Sequence, residues 1–263
     1  NGDYEIWGWC LFQTGVNLVW EPGFAEWSWD QVNATIIGCR AVEINSAYWT
    51  VGDETYDDFS TIQDALSSTS VTNGDAIIVR FREGMYYENI DFNGKNVILR
   101  SLQPTNHSVA DATRIIGSTN PTSATVTFAG TEDNTCSLWG FRITGGGSSV
   151  TLGGGIQGNG AAANIEHNVI QGNAALDGGA IHNCDGIVNA CRIYINDAED
   201  DGGALYGCDG GIANCIIHSN EAGDDGGGLC DCEANIVSNT IYGNHAGGDG
   251  GGLADCIGGD TAI

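Results

Sequence analysis

Short apolar clusters recur along the C-terminal third of the chain at a fixed distance. Asp177 opens the block DGGAIHNCDGIVNACRIYINDAED and Asp201 opens DGGALYGCDGGIANCIIHSNEAGD. Asp225 opens DGGGLCDCEANIVSNTIYGNHAGG, and Asp249 opens DGGGLADCIGGDTAI. The period is 24 residues, with none inserted or lost between blocks. A looser copy, with single-residue shifts, runs from about Leu152 to Leu176. At this period the apolar residues fall into three columns: Ile181, Leu205, Leu229 and Leu253; Val188, Ile212 and Ile236; Ile193, Ile217 and Ile241. Gly, Asn and Asp separate the clusters, which reads as three short strands and three turns per block. A helical repeat needs longer stripes at 3.6 spacing, and the Gly-Gly pair in each block would break it. The pattern therefore predicts an all-β parallel β-helix, a solenoid with one block per coil.

Polar residues fall into columns as well. Asn173, Asn196, Asn220 and Asn244 predict a turn ladder, because Asn tolerates the left-handed region and stacked amides bond to one another. Ala198, Ala222 and Ala246 follow two residues later and suit a tight corner. The glycine pairs at 178–179, 202–203, 226–227 and 250–251 suit a turn needing positive φ or close backbone approach. Cys184, Cys208, Cys232 and Cys256 form a further column, and Cys191 and Cys215 form another that becomes Asn239. Stacked residues lie about 4.8 Å apart, inside the Cα window of a disulfide. Bridges between coils and bridges within a coil (Cys184–Cys191, Cys208–Cys215) both fit, as does a ladder of buried free thiols.

Upstream, Phe59, Ile62, Ala65 and Leu66 share one helical face, with Asp58 or Ser60 as cap. Such a helix would cover the open first coil, whose bare edge would otherwise template pairing. Strands are expected at Ala76–Phe81 and Asn96–Arg100, with Asn93-Gly94 as a turn signal, and at Thr113–Ile116, Thr125–Phe128 and Leu138–Thr144. Residues 1–48 differ in composition and have no 24-residue period. They hold Trp7, Trp9, Trp20, Trp27 and Trp29 with Cys10 and Cys39. Two readings stand: an extension packed on the solenoid and pinned by Cys10–Cys39, or a docking segment or carbohydrate platform with exposed Trp. Residues 49–263 form the β-helix domain.

Composition narrows the function. The formal net charge is −26, and Lys95 is the single lysine. Phosphate binding needs clustered cations, so nucleic acid is excluded as a partner. Acidity favours solubility or calcium binding. The aspartates at 177, 201, 225 and 249, with Asp200 and Asp224 on the same edge, are the candidate calcium ligands. A solvated acidic turn is the alternative, and no cofactor is required. Ten cysteines suggest an oxidising compartment. Cys230 and Cys232 are too close for a zinc knuckle. No apolar run is long enough for a membrane span. Because the chain starts at Asn1, a removed signal peptide or a longer parent is expected. Asn33 and Asn106 begin N-glycosylation triplets.

The stretch FSTIQDAL…NGDAIIVRFREGMYYENIDFNGKNVILRS resembles the opening of pectate-lyase-like right-handed β-helix proteins. The coils GGAI…IYIN, GGAL…IHSN and GGGL…IYGN resemble the GGA[ILV] and FxxN repeats of chlamydial-type polymorphic outer-membrane proteins, with Ile193 and its equivalents in place of Phe. The resemblance covers about residues 55–263. It implies a right-handed coil and an extracellular, adhesive role. The same fold hosts lyases and hydrolases. Against an enzyme, the Gly-His-Gly and Arg-Ile-Lys signatures associated with polygalacturonases are absent. The acidic pairs at 200–201 and 224–225 recur with the coil, and Arg192 is the only cation after Arg142. The calcium-binding nonapeptide of β-roll proteins is not matched. The expectation is therefore a non-catalytic, secreted or cell-surface structural protein. Its last coil still follows the repeat, and head-to-tail association of copies into a filament is the leading form. A carbohydrate-binding or polysaccharide-cleaving β-helix is the alternative.

Overall fold

The computed structural model describes residues 47–82, 85–117, 123–147 and 152–256. The described chain is an all-β parallel solenoid of eight coils, built from four sheets. Sheet 1 stacks eight strands, from Tyr48–Val51 and Ala76–Val79 to Ile212–Ala213 and Ile236–Val237. Sheet 2 stacks seven, from Tyr86–Tyr87 to Ile216–His218 and Thr240–Tyr242. Sheet 3 stacks seven, from Ile90–Asp91 to Leu229–Cys230 and Leu253–Ala254. Sheet 4 has four short strands: Ala174–Ala175, Asp197–Ala198, Glu221–Ala222 and His245–Ala246.

The three apolar columns are the interior. Ile181 pairs with Leu205, Leu205 with Leu229, and Leu229 with Leu253. Val188, Ile212 and Ile236 pair in the same way, as do Ile193, Ile217 and Ile241. Apart from Ile241 and Leu253, these side chains are fully buried. Each contributes about 1.5–3 kcal/mol of hydrophobic stabilisation. Larger residues fill the earlier coils, where the Phe92 and Phe128 rings pack tilted at 39° with centroids 4.5 Å apart.

In the regular C-terminal coils four corners, not three, turn each coil. From residue 178 onward the left-handed residues are Gly178, Asn183, Ala190, Ile195, Gly202, Gly207, Asn214, Ser219, Gly226, Asp231, Ser238, Gly243, Gly250 and Asp255. Their separations alternate between five and seven residues. One coil is thus two 12-residue halves, each with a five-residue side and a seven-residue side. Sheets 3 and 2 occupy the short sides, and sheets 1 and 4 the long ones. Sheet 4 escapes an apolar-column reading because its inward residue is alanine: Ala198 and Ala222 are strand residues buried to 1 % exposure, not corners. The asparagine column likewise sits one residue after the left-handed position, which is held by Gly172, Ile195, Ser219 and Gly243. The glycine pairs divide their labour. Gly178 takes φ +65°, while a Cβ on Gly179 would lie 2.5 Å from the Gly203 carbonyl oxygen.

The expected helix is α1, Ile62–Ser67. Its cap is Thr61, not Asp58 or Ser60: the Thr61 hydroxyl accepts the Asp64 amide at 3.0 Å. The Glu88 carboxylate takes the Ile62 and Gln63 amides at 3.1 and 2.9 Å, so the first-turn donors are satisfied. Ile62, Ala65 and Leu66 are fully buried, over the first coil. A second helix, α2 (His107–Ala112), is capped by Asn106. Asn93-Gly94 is a corner between coils, since Ala76–Val79 and Ile98–Ser101 pair in parallel. The run Leu138–Thr144 is two strands, Ser137–Trp139 and Arg142–Thr144, on either side of the corner at Gly140.

Candidate functional site

Because each coil repeats its neighbour, a polar side chain meets its own equivalents above and below, and surface chemistry is organised in columns. The aspartate column precedes the left-handed glycine in four successive coils, at Gly178, Gly202, Gly226 and Gly250. Asp177 Oδ1 accepts the amide of Asp201 at 3.3 Å, Asp201 Oδ1 that of Asp225 at 2.9 Å, and Asp225 Oδ1 that of Asp249. Each carboxylate therefore binds the backbone of the next coil. Burial pushes the Asp177 and Asp201 carboxyls above the ordinary value; the donated amide pulls them back, and neighbouring aspartates add to the rise. Asp200 and Asp224 are exposed beside them. Among the described residues no group of three or more His, Cys, Asp or Glu is placed to hold a metal ion, and these six aspartates form no such group.

A second acidic column, Asp185, Asp209 and Glu233, works in the same way: Asp209 accepts the Glu233 amide at 3.0 Å. The asparagine column is an internal amide ladder. Asn173 Nδ2 donates to Asn196 Oδ1 at 3.0 Å, Asn196 to Asn220 at 3.0 Å and Asn220 to Asn244 at 2.9 Å. Asn239 stands in for the cysteine of its column and accepts the Cys215 amide at 2.8 Å.

Cys184, Cys191, Cys208, Cys215 and Cys232 are buried, Cys256 is half-buried, and all six carry free thiols. The stack juxtaposes Cys191 and Cys215 between coils, the Cys191 amide donating to Cys215 Sγ at 3.4 Å, while the Cys208, Cys232 and Cys256 thiols each donate to the carbonyl two residues back. Asn106 is exposed; its Oδ1 caps α2 and its Nδ2 donates to Gln103. Trp7, Trp9, Trp20, Trp27, Trp29, Cys10, Cys39 and Asn33 lie outside the described residues.

The outer face carries aromatic stacks that the period alone did not single out. Tyr194, His218 and Tyr242 stack with centroids 5.0 and 4.9 Å apart and planes within 14°. His182 and Tyr206 stack at 5.4 Å. The usable signal was an aromatic or His at 24-residue spacing. His182 and Tyr206 line a groove of about 280 Å³ with Asp209, Asp231 and Glu233. Burial lowers the His182 imidazole below its ordinary value.

No family model, no curated protein and no solved structure matches the chain. The arrangement itself must carry the functional reading.

Proposed function

We propose that this protein is a structural β-solenoid of the extracellular space or cell surface, extended by coil-on-coil stacking, including head-to-tail association of copies. One observation carries the reading. The recurring polar side chains are spent on the next coil, as amide-to-amide bonds between asparagines and carboxylate-to-amide bonds between aspartates. That chemistry builds length and stiffness. At the last described coil Ile241 and Leu253 are only partly buried, whereas Ile217 and Leu229 are sealed. A further coil would seal them, whether from more of the same chain or from a second copy. The likeness of the coils to polymorphic outer-membrane repeats points to the same surface setting. Electron microscopy of purified protein tests the proposal. Rods joined end to end, with a subunit repeat of about 40 Å from eight coils at about 4.8 Å each, are expected. Single short rods at all concentrations sink the assembly.

The groove favours a second reading, carbohydrate binding, because it sets a tyrosine and a histidine beside three carboxylates. Stacking covers the facing sides of the His182 and Tyr206 rings, so sugar contact there would use the carboxylates, the ring edges and the outer faces. A glycan array with sugar-release assays separates the two readings.

A further inference from the structure

The four sides of the solenoid differ in charge. Among the described residues, sheet 2 is the one sheet whose strands carry no Asp or Glu, in a chain of net charge −26. Sheet 1 carries Glu166, sheet 3 Asp91, and sheet 4 Asp197 and Glu221. Sheet 2 also holds Arg114, Arg142 and Arg192, three of the chain's seven arginines. Two are committed nearby: Arg142 pairs with Asp111 of α2, and Arg114 Nε donates to the Asp111 carbonyl at 3.1 Å. Arg192 is exposed and forms no ion pair among the described residues. Tyr194 and Ile195 follow it, and Ile216 and His218 of the next coil are in register with Arg192 and Tyr194. Ile195 is 63 % and Ile216 36 % exposed. Coils on both sides of these residues are described, so the exposure is lateral, and coils added at the ends leave it unchanged. Aromatic rings, isoleucines and a guanidinium with no carboxylate among them have the composition of an interface core.

The opposite short side is the complement of this patch. Sheets 2 and 3 are half a coil apart and face away from each other. The groove on the sheet 3 side brings Asp209, Asp231 and Glu233 together, all exposed, with no Lys or Arg in its lining. We propose that the sheet 2 patch of one copy docks side by side on the sheet 3 groove of a second copy. Arg192 meets the groove carboxylates, whose mutual repulsion a guanidinium offsets, and its planar fork takes two carboxylate oxygens at once. Ile216, beside Arg192, covers the Tyr206 ring. Because patch and groove lie on opposite sides, each pair leaves a free patch and a free groove, and the contact propagates into a row. The long sides offer no such match: sheet 4 shows Asp197 and Glu221, and a like face repels them. Four coils of the patch, from Val169 to Tyr242, lie beyond the α2 contact and span roughly 16 by 19 Å. That is well below the roughly 800 Å² per partner of a stable complex, so one contact is weak, and trapping reads it better than a search for a stable dimer. The inference does not rest on end-to-end stacking, since neither contact needs the other.

The full chain is made with Ile216→p-benzoylphenylalanine, a photo-reactive residue, in unlabelled and isotope-labelled forms that are mixed at submillimolar concentration and irradiated. After cleavage at Asp and Glu, linked peptides are identified by mass spectrometry, and mixed-isotope links mark contacts between copies. Links to the segments around Tyr206 to Asp209 and Asp231 to Glu233 are expected; within one copy these lie on the side away from residue 216. Arg192→Glu and Glu233→Arg are each expected to cut the yield at least about fivefold, because each turns attraction into repulsion. The double variant, which exchanges the charges, should regain it. Circular dichroism checks that the variants, both at exposed positions, keep the fold. Links from residue 216 to sheet 2 of the second copy would mean a patch-to-patch dimer and overturn the arrangement. So would yields unmoved by either reversal, a double variant that stays low, or the absence of any mixed-isotope link.

Discussion

At the scale of the residue, the amide ladder explains how a thin coil tolerates a buried polar column. Asn220 donates from Nδ2 to the Ile193 carbonyl at 3.1 Å and to Asn244 Oδ1 at 2.9 Å. Its Oδ1 accepts the Asn196 amide and the Asn196 side chain, both at 3.0 Å. Donors and acceptors match along the column, so burial at 1 % exposure leaves the group satisfied. Asn220→Ala removes both roles and strands its partners, costing about 2–4 kcal/mol. Asn220→Asp removes the donor half. It keeps the acceptor but cannot donate, and it buries a charge, so a comparable loss is expected. Asn244 is only half-buried, and Asn244→Ala should cost about 1 kcal/mol. Urea midpoints of the three variants check the ranking. Equal costs at 220 and 244 would remove the ladder from the account. The apolar columns and this ladder were legible because Ile, Leu and Asn repeat by name. Of the left-handed corners, the one at Gly178, Gly202, Gly226 and Gly250 was legible from its glycines; those at Ala190, Asn214 and Ser238 and at Ile195 and Ser219 were not, since their residues share no type and only Asn and Gly favour that region intrinsically.

At the scale of the element, a sheet of one-coil strands places equivalent carboxylates on one edge. Asp177, Asp201 and Asp225 answer this by binding the amides of the next coil, which offsets part of their repulsion. The offset is incomplete: burial and neighbouring charge still raise the Asp177 and Asp201 carboxyls. A raised carboxyl holds its proton more tightly in the folded chain than in the unfolded one. Its stabilising contribution is therefore full below the unfolded value, about 4, and is lost as pH rises through the raised folded value. Asp201→Asn keeps the oxygen that accepts the Asp225 amide and removes the charge. It should raise the melting temperature at pH 7 by about 1–2 °C, and the gain should vanish near pH 4. A variant less stable than wild type at pH 7 but not near pH 4 would show that the carboxylate is required as an anion. Sequence spacing located this column, and the structure adds that one carboxylate oxygen of Asp177, Asp201 and Asp225 accepts the N–H of the next coil, which only the stacked geometry could show. The groove escaped for a similar reason: Tyr206, Asp209, Asp231 and Glu233 meet across two coils, and no local motif joins them.

At the scale of the whole molecule, a solenoid has no single centre. Each coil is stabilised by its two neighbours, so stability is close to a sum of coil and interface terms, and opening starts at the ends. The described ends differ. At the first coil α1 buries Ile62, Ala65 and Leu66 completely, closing the interior. At the last described coil Ile241, Leu253 and Cys256 are only partly buried, although Ile193, Ile217 and Leu229 in the same columns are sealed. Fewer buried contacts lower the free energy of local opening. Amide hydrogen exchange should follow that asymmetry. Protection is expected to be highest from about Ile143 to Ile217 and to fall by at least about tenfold at Ile241 and Leu253, since about 1.4 kcal/mol of lost burial already gives that factor. The strands of α1's coil should stay protected. Association of copies adds a sharper discriminator. If a second copy seals Ile241 and Leu253, their protection must rise with protein concentration while that of Ile193 stays fixed. Protection that is uniform along the coils would contradict the additive picture. A concentration-independent gradient would keep the picture and remove end-to-end stacking from it.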